Sequence, residues 1–352
     1  MYWCHIDARR WKPSILQSFA WGLLGLLGVS CLALGLGLRD VSLPPRVPER
    51  LGNWSRILRA LEAHPTDRPL SFAVVGDTKS FGTFDSILEA LRGKDLDFIV
   101  NLGDFVHEPT PSEHSYFLHE MAEDLQPAGP PMLVIPGNHD VHPQSFPIAA
   151  FERLYGPSMF SFECAGNLFV FLNNALPRRK GGVNWKPYLK EVLSQRRQHV
   201  RRVFVLMHVP PMDPSRGWNG NGKSRTLEFL EQHGVDYAIG SHLHRYGRAQ
   251  AGPTTVLVTG GGGATLKPAP FGGFHHAIVI RVAGDQVSEE IVPVSAKWKV
   301  AEKLEHMFMT VLLPLARHVE ERHGSGDSGW VGADLPIRPT KGNIRSRSRH
   351  RA

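Results

Sequence analysis

Cysteine is scarce: the 352 residues hold three, and two of them, Cys4 and Cys31, lie before or within an apolar N-terminal stretch. Cys164 is left alone in the remainder, so no disulfide forms there and the cysteines say nothing about redox compartment. Charge is modest too. Charged residues make up 21% of the chain against 42% apolar ones, an ordinary globular balance that excludes a disordered protein. The net charge of +7 is concentrated: Lys341, Arg345, Arg347, Arg349 and Arg351 crowd the tail with no acid among them. No aromatic residue is interleaved there to stack bases, so no specific nucleic-acid binding is expected, and a solvated terminus touching anionic lipid is the better account. The glycine run Gly260–Gly263 lacks the Gly-Lys-Ser/Thr ending of a nucleotide-binding P-loop. No internal repeat is present.

One long apolar run does stand out. Arg9, Arg10 and Lys12 precede Ser14 to Leu38, which carries no charge and is long enough to cross a bilayer as a helix. A single-pass anchor in the cell membrane with the following domain on the extracytoplasmic side is expected; a cleaved signal peptide is the alternative, and lipoprotein processing before Cys31 a weaker one. The chain then divides into a basic segment 1–13, the span 14–38, a Pro-bearing linker 39–68 with a short amphipathic helix near Trp54 to Leu61, a main domain 69–295, an amphipathic helix 296–322 and a disordered basic tail 323–352. Met307 to Leu315 is too short for a second span and is broken by Pro314.

Within the main domain, strand-length apolar runs recur at 72–75, 98–102, 132–135, 168–172, 203–207, 237–239, 256–258 and 277–282. Helical spacing appears between them at 84–91, 116–125, 185–193 and 227–233, the last closed by Gly234. Alternating strands and helices predict an α/β domain.

Five of these runs end in polar, metal-capable residues: Asp77 after Gly76, Asp104 after Gly103, Asn138, His139 and Asp140 after Gly137, His208 after Met207, and His242 and His244 after Ser241. Ligands gather at the carboxyl ends of strands in open α/β sheets, so these termini converge. Oxygen and imidazole donors without a thiolate suit Mn, Fe, Zn, Mg or Ni rather than a sulfur-rich structural zinc. Two such ions clamp a phosphate and deliver a bound hydroxide in line with the leaving oxygen.

The ordered blocks from Gly76 to His244 resemble the calcineurin-like metallophosphoesterases, including membrane-tethered bacterial members, over about half of the chain. The resemblance implies a double β-sheet sandwich flanked by helices. It also implies that Asp104 bridges two ions, that Asp77 and His244 hold the first, and that Asn138, His208 and His242 hold the second. His139 would protonate the leaving group or steady the phosphoryl oxygens, with Asp140 orienting its ring. The implied function is metal-dependent hydrolysis of a phosphorylated substrate: a monoester, diester or pyrophosphate.

Two departures bear on this. Lys79 stands where the family commonly has a metal-binding His, and an ammonium has no lone pair to give. It is either a fixed positive charge for the substrate or part of the metal's charge, or a surface lysine after a degraded ligand. Ser241 replaces Gly before His242 and is expected to matter little. The alternative to an enzyme is a catalytically weakened metal- or phosphate-binding protein on the same fold. Gly260–Gly263 either offers amides to a phosphate or, as favoured here, is a flexible turn, while His275 and His276 are structural. His107, His114, His119 and His142 match no ligand position and read as ordinary loop or helix residues.

Overall fold

Strands rich in Val, Ile, Leu and Phe need cover on both faces, and two stacked sheets between helices supply it. The computed structural model describes residues 47–79, 82–214, 224–267 and 273–295. The strands are β1 (Leu70–Val75), β2 (Phe98–Asn101), β3 (Met132–Val134), β4 (Phe160–Cys164), β5 (Asn167–Leu172), β6 (Arg202–Met207), β7 (Tyr237–Gly240), β8 (Tyr246–Ala251), β9 (Thr254–Thr259), β10 (His276–Ala283) and β11 (Gln286–Pro293). The helices are α1 (Ser55–Glu62), α2 (Thr83–Leu91), α3 (Pro111–Asp124), α4 (Ile148–Tyr155), α5 (Trp185–Arg196) and α6 (Arg225–Gln232). One sheet runs β11-β10-β1-β2-β3 and the other β4-β5-β6-β7-β9-β8. The expected double sandwich flanked by helices is thus present.

Phenylalanines fill the space between the sheets. Phe72 and Phe98 of the first sheet stack at 5.0 Å, and Phe169 of the second meets Phe72 edge-on at 5.2 Å. The outer face of the first sheet packs on α2, α3 and α4, and that of the second on α5 and α6. β1, β2 and β3 are mutually parallel, as are β5, β6, β7 and β9, so several carboxyl ends share one edge of the sandwich.

The short amphipathic helix expected near Trp54 to Leu61 is present as α1, but the chain before it is no free linker. Leu51 is fully buried and bridges to Met132, and the Asn53 amide donates to the carbonyls of Val134 (2.6 Å) and Pro157 (2.8 Å) while its Oδ1 accepts from Val134 N–H. This segment is an extra edge of the first sheet, held because β3 would otherwise leave its backbone groups unpaired. Among the described residues no helix is long and apolar enough to cross a membrane. The expected span 14–38, the helix 296–322 and the tail lie outside the described residues.

Candidate metal centre

Each strand-end turn is sharp enough to put a side chain back over the sheet edge. Asp77, Asp104, His242 and His244 have φ of 57°, 58°, 64° and 49°, the left-handed region that non-glycine residues rarely enter. Four of the five such residues in the described chain are candidate ligands, as expected where surrounding structure holds strain at a site. Two glycines make room. A Cβ on Gly137 would fall 2.1 Å from Asp104 Oδ1, and one on Gly260 would fall 2.8 Å from Asp77 Oδ2.

The donors form two groups that share Asp104: one of Asp104, His208 and His242, the other of Asp77, Asp104 and His244. Asn138 joins the first, its Oδ1 lying 3.1 Å from His208 Nε2. The geometry of His208 fits a cation. Its Nδ1 donates to the Leu102 carbonyl at 2.9 Å, which turns Nε2 toward Asn138 Oδ1, His242 Nδ1 at 3.1 Å and Asp104 Oδ1 at 3.4 Å. Burial, with His208 beside it, pushes His242 down to about 4, keeping it a neutral donor. Oxygen and imidazole groups converging in a buried site make a donor set that suits a divalent ion.

The second group repeats the pattern. His244 Nδ1 donates to the Thr265 carbonyl at 2.9 Å, and Nε2 lies 3.3 Å from Asp77 Oδ1, a buried oxygen with no hydrogen-bond partner. Burial lowers the His244 pKa, but the Asp77 carboxylate more than offsets it and leaves the net shift upward. Burial raises Asp104, yet His208, Lys79 and His139 together hold it well below the usual carboxylate range.

Lys79 is not a surface lysine. Only 6% exposed, it places Nζ 3.4 Å from Asp104 Oδ2. Asp140 also departs from its expected role. It does not orient the ring of His139; its carboxylate instead accepts the backbone N–H of Asp104 (2.7 Å), Phe105 (3.0 Å), Val106 (3.2 Å) and Gly137 (2.6 Å), clamping two ligand loops together. The carbonyl of His107 orients His139 by accepting from Nδ1 at 2.7 Å, leaving Nε2 3.9 Å from Asp104 Oδ2.

Sequence reasoning missed three supports. Glu113, fully buried, accepts the N–H of His107 (2.7 Å) and Glu108 (3.0 Å) and so fixes the carbonyl that holds His139. The Thr110–Pro111–Ser112–Glu113 string is a helix-start signature that marks this position, with the Thr110 side chain accepting from Glu113 N–H. His114 is neutral because burial pushes it down to about 3; it donates to the Asp140 carbonyl and accepts from Tyr155. Ser241, expected to be indifferent, places Oγ 3.1 Å from His208 Nδ1. The glycine run is no flexible turn: Gly260 and Gly262 spend their N–H groups on the Arg245 and Gly76 carbonyls, all four glycines are buried, and their amides face the fold rather than a phosphate. His276 is buried as expected, its pKa pushed down to about 4.

A family model for calcineurin-like phosphoesterases matches residues 70–246. Purple acid phosphatase 21 of Arabidopsis thaliana is 23% identical over 230 residues, covering 56% of this chain and 51% of its own length. The human serine/threonine-protein phosphatase CPPED1 is 25% identical over 198 residues, covering 50% of this chain and 62% of its own. The chain thus spans between half and two thirds of the length of these curated relatives. Purple acid phosphatase PPD1 from yellow lupin superposes with a TM-score of 0.52 at 15% identity, over 65% of this chain and 52% of its own. GAP50, the anchor in the inner membrane complex of Plasmodium, superposes at 0.51 and 15% identity, over 69% and 96%. At that identity the two structures show a shared fold.

Proposed function

This chain belongs to the calcineurin-like phosphoesterase family, and from that premise we propose that it hydrolyses phosphate esters with divalent ions held by Asp77, Asp104, Asn138, His208, His242 and His244. The observation that carries the reading is the convergence of two donor groups on the buried Asp104, with His208 and His242 on one side and Asp77 and His244 on the other. When bound, such ions polarise the phosphoryl oxygens and make an attacking water acidic. The chain's own residues do the rest. His139, ring fixed by the His107 carbonyl and Nε2 open to the cleft, gives a proton to the ester oxygen as its bond to phosphorus breaks. Lys79 holds positive charge beside the reacting group.

The substrate binds in a cleft of about 1120 Å³ that opens from Asn138, His139 and His242. The cleft is lined by Val141, Leu176 and Trp185 and by the cations Arg178, Lys180 and Lys186. Among the described residues none of these three cations has a carboxylate partner; Lys186 rests on the Trp185 and Phe229 rings, 5.7 and 5.2 Å from their centroids. A leaving group that is partly apolar and carries negative charge of its own suits this surface, as a phosphoserine or phosphothreonine peptide with acidic neighbours does. By this reading residues 14–38 anchor the protein in the membrane, with the catalytic domain, which includes the segment from residue 47, on the extracytoplasmic side.

The test is hydrolysis by the full chain of aryl phosphate mono- and diesters and of phosphopeptides with acidic or basic flanks, with and without chelator, beside Asp104→Ala. Metal-dependent turnover, absent in Asp104→Ala and faster with acidic flanks, supports the reading. A protein that binds metal and phosphopeptide but turns over no ester favours the binding-protein alternative.

A further inference from the structure

We infer that Lys79 is a built-in cation that takes the place of one of the two ions, so that the protein holds a single divalent ion, in the group of Asp104, Asn138, His208 and His242. The inference rests on the metal-dependent reading above and changes its stoichiometry.

Asp104 carries the argument, because its two oxygens face different partners. Oδ1 accepts from His139 N–H at 2.9 Å and lies 3.4 Å from His208 Nε2. Oδ2 faces Lys79 Nζ at 3.4 Å. The carboxylate that would be shared by two ions is therefore already shared between one complete donor group and one ammonium. The other group keeps Asp77 and His244 as free donors, and any ion drawn to Asp104 Oδ2 there would share that oxygen with a buried positive charge, a repulsive arrangement where water is excluded.

The placement of Lys79 is not accidental to its side chain. Its backbone N–H donates to the Asp104 carbonyl at 3.1 Å, and Asp77 N–H to the Gly103 carbonyl at 2.9 Å, which ties the end of β1 to the end of β2. Thr78, buried beside it, accepts from the Asn101 amide at 2.9 Å. A lysine is almost never this buried without a partner, because desolvating an ammonium is costly. Here the partner is the central carboxylate of the site.

Lys79 is the ammonium beside the buried carboxylates Asp77 and Asp104, so it brings positive charge to the place where the second group would hold an ion. The ammonium supplies charge but no lone pair, so replacing it with imidazole changes the number of ions the site accepts.

The experiment counts ions rather than turnover. Full-length protein is loaded with Mn(II), freed of excess by gel filtration and measured by mass spectrometry of the metal and by electron paramagnetic resonance. Wild type is expected to hold one ion per chain with the hyperfine pattern of an isolated Mn(II). Lys79→His is expected to hold two, with the broadened signal of a spin-coupled pair. Two coupled ions in wild type, or one ion in both proteins with Lys79→His folded by circular dichroism, overturns the inference and leaves metal-dependent hydrolysis standing. No bound ion in wild type removes the metal-dependent reading itself.

Discussion

Asp104 and Lys79 are buried together, and removing either one strands the other. Asp104→Ala leaves an unpaired ammonium in the interior and should lower stability by about 3 kcal/mol in chelator, with much of the loss recovered in the Lys79→Met/Asp104→Ala double variant. Urea denaturation measures both, and a double variant no more stable than the single one would show that the pair is not what Asp104 contributes. His139 touches Asp104 through its backbone N–H, while its ring is 39% exposed at the cleft. His139→Ala should cost about 100-fold or more in kcat while leaving bound metal unchanged, and should hurt least for esters whose leaving group needs no proton. A uniform loss across leaving groups would assign His139 to phosphoryl binding instead.

At the scale of elements, α3 does more than its sequence suggests. Its first turn carries Glu113, which fixes the loop that orients His139, and His114, which holds the Asp140 carbonyl. Glu113→Ala should lower kcat by about 10-fold with metal content unchanged, since it loosens a support rather than a ligand. His114 gives a pH signature. Its folded pKa of about 3 lies below the ordinary 6.5, so the unfolded chain takes up the proton first. The stability it contributes is therefore complete above pH 6.5 and lost as pH falls, by about 2 kcal/mol at pH 5. Thermal melts from pH 7 to 5 check this, and His114→Gln should flatten the slope.

The strand ends that bear ligands were legible because buried parallel strands give continuous apolar runs that stop abruptly at Gly-Asp or at His. Edge strands were not: β8 (Tyr-Gly-Arg-Ala-Gln-Ala) and β11, with Glu289 and Glu290 at its middle, are half solvated and carry little apolar signal. β4 alternates buried and half-buried residues over five positions only, and α4 buries just Phe151 and Tyr155. The ligands were read from residue type, but their supports act through backbone groups: the His107 carbonyl and the amides clamped by Asp140 have no sequence signature of their own. That is why Asp140 was given to the wrong partner and Glu113 to none.

For the whole molecule, the sandwich depends on the phenylalanines between its sheets. Phe169 stacks on Phe204 at 5.0 Å and touches both Phe72 and Phe98 edge-on. Phe169→Ala should cost about 3 to 5 kcal/mol in urea denaturation, by lost burial and the cavity left between the sheets. A cost under 1 kcal/mol would mean that the two sheets close over the gap.

The left-handed turns at Asp77, Asp104, His242 and His244 store backbone strain in the site. Each is a position where glycine is the more comfortable residue, by about 1 kcal/mol. The site is thus built against the backbone's local preference at four points along one edge of the sandwich, and local opening of that edge would release strain that the surrounding sheets and helices hold in place.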